Sequence, residues 1–193
     1  MQTFQINLIK AVKELKKRFP HRLLNCLETG TIRRFSDNHN STLHISETLG
    51  DSGFLVSVDK SEDCIKESKR VCQNSSNVKW VLGDSISYLR QTKDKYHLIF
   101  LDTSNDKDFI FEEFRLAITK MVPNGILIVD DAGVTMNGEI NPHTTRVKGH
   151  KVVAFLKSIG LTGFICKSPI GTQVWLNTTK VAITKIREGL ENV

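Results

Sequence analysis

"CLETGTIRRFSDNHNST", Cys26–Thr42, begins as the end of a buried strand and finishes as the start of a helix. The turn between them holds one glycine, Gly30, and a carboxylate, Glu28, stands just before it. A phosphate-binding turn brings several backbone N–H groups close to the ligand, which takes glycines and in one version a lysine. Neither G-x-G-x-x-G nor G-x-x-x-x-G-K occurs here. The turn suits a ligand that presents something other than phosphate.

The stretch has relatives along the chain. "RLLNCLE", "FLVSV", "VKWVL", "HLIFL" and "GILIVD" are short apolar runs, most ending at an acidic or small polar residue. Such runs fit strands buried on both faces, as in a parallel sheet. Helical segments separate them. Phe4, Leu8, Val12, Leu15 and Phe19 recur at helical spacing up to Pro20, predicting an N-terminal helix over 1–19. Ser41–Leu49 reads as a second helix. Ser61 caps a third, with Glu62 and Asp63 in its favoured acidic first turn. A shorter one follows Asp84, and Ile110, Phe114, Ala117, Ile118 and Met121 form the apolar stripe of the next.

This alternation predicts an α/β, doubly wound, Rossmann-like sheet with helices on both faces. Near the C-terminus a helix around Val152–Ile159 leads to "TGFIC", the short link "KSPIGT" and "QVWL". Two strands so closely joined are antiparallel. The expected sheet thus has seven strands, five parallel plus a C-terminal antiparallel hairpin, followed by a helix from about Lys180. Residues 1–193 read as a single domain, long enough to bury roughly 70% of the unfolded surface. Ala132–Gly149 is too long for a mere connection and is expected to be a substrate loop or lid.

Composition is that of an ordinary soluble protein with no apolar run near the ~20 residues of a membrane span. The first residues lack the pattern of a secretion signal. The four cysteines are scattered without a C-x-x-C pair, which argues against a zinc site or disulfide framework. The cytoplasm is the expected compartment. A net charge of +6 permits an anionic partner, but the basic clusters are short.

Ligands of open parallel sheets bind beyond the carboxyl ends of the strands. Those ends carry Glu28, Asp59, Asp84, Asp102 and the pair Asp130–Asp131. Each alone would serve equally well as a helix cap or a solvated turn residue. Together they repel one another unless a ligand or cation sits among them. Acidic groups suit hydroxyls and positive charge. Asp59 is placed for both ribose hydroxyls, Asp84 for the exocyclic amine of adenine, and Glu28 for a cationic amino group. A nucleoside carrying an amino acid and no phosphate fits: S-adenosylmethionine.

"LETGT…ST", "VSVDKS", "VLGDS", "IFLDTS" and "ILIVDDAG" resemble, in order and spacing, the class I S-adenosylmethionine-dependent methyltransferases. The resemblance runs from about Leu23 to Leu176 and is greatest to the small-molecule O-methyltransferases of the catechol and caffeoyl-coenzyme-A type. It implies methyl transfer to a hydroxyl of a small molecule or sugar. It further implies that Glu28, Gly30 and Thr31, with Ser41 and Thr42, line the methionine end of the cofactor. Asp59 would bind the ribose, Asp84 and Ser85 would lie at the adenine, Lys60 would be a further cofactor contact, and Asp102 would lie near the reacting centre. In that group an Asp after the fourth strand and an acidic pair after the fifth bind a divalent cation. The matching positions are Asp102, Asp130 and Asp131, which with water and substrate oxygens would complete a six-oxygen shell for Mg2+ or a similar ion. Alternatively, Asp102 contacts cofactor or substrate directly and the pair simply ends a strand.

The chain departs from the catechol pattern at the base. That type has a lysine three residues after the first metal Asp; here position 105 is Asn and the nearest lysine is Lys107. His143 and His150, in or beside the long loop, are further candidates. Arg33 or Arg34 would hold an anionic group on the substrate. Other readings are a nucleic-acid methyltransferase of the same fold, which the missing N/D-P-P-Y/F motif disfavours, and a non-catalytic cofactor-binding subunit. A homo-oligomer packing through Phe4, Leu8 and Phe19 is also open.

Overall fold

A computed structural model describes residues 3–31, 40–135, 139–141, 145–161, 165–166 and 173–192. In chain order the elements are α1 (Thr3–Arg18), β1 (Leu24–Thr29), α2 (Ser41–Leu49), β2 (Gly53–Asp59), α3 (Glu62–Val71), β3 (Val78–Leu82) and α4 (Ser85–Gln91). Then follow β4 (Tyr96–Leu101), α5 (Lys107–Lys120), β5 (Met121–Val129), α6 (His150–Ser158), β6 (Ile165–Cys166), β7 (Val174–Thr178) and α7 (Lys180–Leu190). The strands form one sheet in the order β3-β2-β1-β4-β5-β7-β6. Neighbours among β1 to β5 run parallel, while β7 is antiparallel to both β5 and β6. The α/β Rossmann-like class is as the sequence led us to expect. The link expected over 167–172 lies outside the described residues.

Period-two alternation in the central strands explains the layers. Leu98 and Phe100 of β4 face a core with Leu8, Val12 and Leu15 of α1 and Ile45 and Leu49 of α2. Ile99 and Leu101 face the opposite core, with Leu89 of α4, Ile110 and Phe114 of α5, Val152 of α6 and Ile183 of α7. Residues 98–101 are fully buried, so each contributes roughly 1.5–3 kcal/mol of apolar burial. Leu8 also lies wholly inside this packing, so it offers no surface to a partner chain. The side chain of Phe4 is outside what the structure describes.

The strand order reverses between β1 and β4, which opens a crevice at their carboxyl ends. Gly30 sits at this seam with φ +82°, and a Cβ there would stand 2.4 Å from the Asp102 carbonyl oxygen. Only glycine gives both that backbone angle and that approach. No described helix is long and apolar enough to cross a membrane.

Candidate active site

The crevice is a cavity of about 330 Å³, lined by Gly30, Asp59, Lys60, Asp84, Ser85 and Phe109 among others. At its β1 edge, Glu28 is fully buried. Its Oε2 accepts from the Thr42 hydroxyl at 2.6 Å and the Ser57 hydroxyl at 2.8 Å. Its Oε1 has no partner among the described residues. Burial pushes its carboxyl up to about 7, the surrounding hydroxyls pull it back, and the charge of Asp102 adds to the rise. Thr31 and Ser41 are buried beside it, and the hydroxyls of Thr31 and Thr42 meet at 2.9 Å.

Asp59 ends β2 and among the described residues is held by backbone N–H groups. Its Oδ2 accepts from the Thr31 N–H at 3.0 Å and its Oδ1 from the Ser61 N–H at 2.8 Å. Lys60 beside it is exposed. Asp84 caps α4, accepting from the Ser87 N–H at 2.8 Å. Ser85 is buried at the start of that helix. Behind this half, Glu113 of α5 is fully buried and accepts from the Thr103 hydroxyl at 2.7 Å. Burial lifts its carboxyl to about 7, partly offset by the hydroxyls of Ser85, Thr103 and Thr29.

The other half of the rim gathers Asp102, Asp130 and Asp131, each offering an oxygen within 4.8 Å of the others. Their partners come from far along the chain. The Lys148 ammonium donates to Asp102 Oδ1 and lies 3.6 Å from Asp131 Oδ2. Arg146 Nη1 is 3.1 Å from Asp131 Oδ1. Gln173 Nε2 donates to Asp130 Oδ1 at 2.9 Å, and its own oxygen accepts from Asn7 at 3.1 Å. Burial and the adjacent charges of Asp102 and Asp131 hold the Asp130 carboxyl above its ordinary range. The Lys148 side chain is 2% exposed. Burial pulls its ammonium down, but Asp102, Asp130 and Asp131 together outweigh that and raise it.

The described parts of the long loop explain how Lys148 arrives. Thr135 N–H donates to the Glu139 carbonyl at 2.7 Å and Asn141 N–H to the Gly133 carbonyl at 3.0 Å, folding the segment back on itself. Gly133 has φ +65°, and a Cβ there would stand 1.8 Å from the Arg146 carbonyl oxygen. A Cβ on Gly149 would stand 2.6 Å from that of Ala132. Residues 146–149 therefore lie directly on the end of β5.

The structure thus brings Glu28, Gly30, Thr31, Ser41, Thr42, Asp59, Asp84, Ser85, Asp102, Asp130 and Asp131 to one rim of the sheet. Lys107 is the exposed first residue of α5 and makes no ion pair among the described residues. His150 starts α6 with Nε2 3.0 Å from the Gly133 carbonyl oxygen, so it holds the loop. His143, Arg33 and Arg34 lie outside the described residues. Sequence reasoning missed Lys148, Arg146, Gln173 and Glu113. Glu113 carried a signal, being three residues after Ile110 and four before Ala117 on the buried stripe. Lys148 carried none.

Comparisons with known proteins bear on this geometry. A family profile described as "Methyltransferase domain" matches residues 39–132, just under half of the chain. A search of curated proteins found no match. Among solved structures the chain is similar to an O-methyltransferase from Bacillus cereus in complex with SAH, at 20% identity and TM-score 0.62, over 82% of this chain and 70% of that one. It is similar to cofactor-bound Rv0187 from MTB, at 16% identity and TM-score 0.66, over 90% and 80%. It is also similar to the O-methyltransferase TomG from Streptomyces achromogenes, involved in tomaymycin synthesis and solved with SAM, at 14% identity and TM-score 0.62, over 90% and 80%. The methyltransferase-domain profile thus matches residues 39–132, and the chain shares the fold of these solved structures. Both findings agree with the resemblance drawn from the sequence.

Proposed function

We propose that this chain is a methyltransferase that uses S-adenosylmethionine to methylate a hydroxyl of a small molecule or sugar, with residues 1–193 acting as one domain. The observation that carries the reading is the cavity of about 330 Å³ at the carboxyl ends of the strands, with Asp59 and Asp84 on its wall. Its donor chemistry suits an adenosine without phosphates. Asp59 accepts hydrogen bonds from ribose hydroxyls, Asp84 and Ser85 face the base, and Phe109 offers an apolar surface. Glu28, with one buried oxygen unpartnered among the described residues, offers an acceptor for the amino group of the methionine end.

When bound, the cofactor supplies a methyl on a sulfonium sulfur: the acceptor oxygen forms the C–O bond as the C–S bond breaks and sulfur keeps the pair. The chain has to place that oxygen in line, where positioning contributes most to the rate. Asp102, at the seam between the cavity and the β5 side, accepts the hydroxyl proton. Residues 146–149, laid on the end of β5, border the acceptor side. Three carboxylates at this spacing have the oxygen chemistry of a divalent-cation site. With the Lys148 ammonium bonded into the group, however, the residues present do not fit a second cation, and no step is assigned to one.

Calorimetric titration with S-adenosylhomocysteine, with NAD as control, tests the reading. Binding of the first and not the second is expected. Binding of NAD alone, or of neither, would sink it.

A further inference from the structure

The acceptor side of the rim contains its own cation. Lys148 reaches it on a backbone path that leaves little freedom, because Gly133 and Gly149 have no room for side chains against Arg146 and Ala132. Its side chain is 2% exposed, donates to Asp102 and lies 3.6 Å from Asp131. Arg146 takes the other oxygen of Asp131 at 3.1 Å. Asp130 is satisfied by the Gln173 amide, itself held by Asn7. Each carboxylate therefore already has a donor, and two of them have a positive one. A divalent ion placed among the same oxygens would meet the ammonium at close range in a shielded site, where like charges repel strongly.

We propose that Lys148 is the built-in cation of this carboxylate cluster, that it and a divalent metal exclude one another there, and that the chain works without a metal. The ammonium lies within a hydrogen bond of Asp102 and is a ready donor to the acceptor oxygen. It would hold that oxygen as a bound ion would, by charge and geometry. The role in methyl transfer rests on the function proposed above; the exclusion of metal does not.

The test is Mn2+ binding to the full chain, followed by calorimetry and by the shift of the melting temperature, in wild type, Lys148→Met and Lys148→Arg. Wild type is expected to show neither heat nor shift, and EDTA should leave its melting unchanged. Lys148→Met removes the competing charge from an intact set of oxygens and should bind Mn2+ at least ~10-fold more tightly than wild type. Lys148→Arg keeps the charge and should behave as wild type. If the methionine variant fails to fold, Asp102→Asn in the wild-type background decides. Mn2+ binding by wild type that this substitution abolishes would overturn the proposal, since the cluster would then be a metal site with a displaceable lysine. Failure of a folded Lys148→Met to gain Mn2+ would also overturn it, because the cluster would not be a cation site at all. S-adenosylhomocysteine titrated into the same samples separates the two readings: its failure to bind removes the methyltransferase role and leaves the metal result standing.

Discussion

The two halves of the rim satisfy their carboxylates by different means. On the β1–β3 side, Glu28 is met by hydroxyls and Asp59 and Asp84 by backbone N–H groups. On the β4–β5 side, Asp102 and Asp131 are met by Lys148 and Arg146. Neutral donors satisfy lone pairs but leave the charge in place, whereas cations cancel it. The first half therefore has no cation of its own among the described residues: Asp59 and Asp84 are met by neutral donors, and burial holds the Glu28 carboxyl up at about 7 until a positive group meets it. The second is close to balanced and suits a neutral hydroxyl. One sheet edge thus holds a cofactor side waiting for charge and an acceptor side already supplied with it.

Gly30 locks the halves together, so its replacement should have the largest effect. Gly30→Ala combines a positive φ with a Cβ 2.4 Å from the Asp102 carbonyl oxygen. A loss of about 3–5 kcal/mol is expected from backbone strain plus overpacking, with S-adenosylhomocysteine binding lost alongside. Gly50 also has a positive φ, but open space surrounds it. Gly50→Ala should cost only about 1 kcal/mol. Thermal melts of the two variants provide the check. Equal losses would mean that the close approach of β1 to β4 contributes nothing.

The charge distinction itself is tested by matched substitutions. Asp59→Asn removes the charge from the cofactor side, and the affinity for S-adenosylhomocysteine should fall about 10–100-fold. Asp131→Asn removes a charge that Lys148 and Arg146 already offset, and asparagine tolerates the φ of +43° found there. The same titration should change less than ~3-fold for this variant, in keeping with a site away from the cofactor. Equal effects would erase the division of the rim.

The division also follows what could be read from the sequence. The parallel strands, their order of helices and the row of terminal carboxylates were legible, because each depends on spacing within a dozen residues. Ser61 and Asp84 cap helices as their positions suggest. The acceptor side was half legible. Its carboxylates follow apolar runs and could be found, but Lys148 is 46 residues from Asp102 and Gln173 is 43 from Asp130. Such partners are set by where the loop after β5 lands, which no local pattern encodes. A lysine in a polar loop looks the same whether its ammonium ends in water or among carboxylates. Lys107, nearer in sequence, was the more natural choice and lies exposed.

The carboxyls buried on the cofactor side, with no cation to meet them among the described residues, should make stability depend on pH. Glu28 and Glu113 are both lifted from 4.5 to about 7, chiefly by burial. Between those values the folded chain holds protons that the unfolded chain has released. The stability they contribute is complete below about 4.5 and is lost as the pH rises through about 7. Glu113→Gln isolates one of them. The amide keeps an acceptor for the Thr103 hydroxyl and offers an N–H toward the Thr29 hydroxyl beside it. The linkage ceiling for this net shift is about 3 kcal/mol, and because the amide accepts from fewer of the surrounding hydroxyls than a carboxylate does, about 1 kcal/mol is expected. The variant should therefore melt a few degrees higher than wild type at pH 8 and nearly equal to it at pH 4.5. Melting curves across that range read the sign directly. A variant less stable than wild type at pH 8 would mean that Glu113 is ionised and held by an unrecognised cation, and the contrast between the two halves would fail at its own boundary.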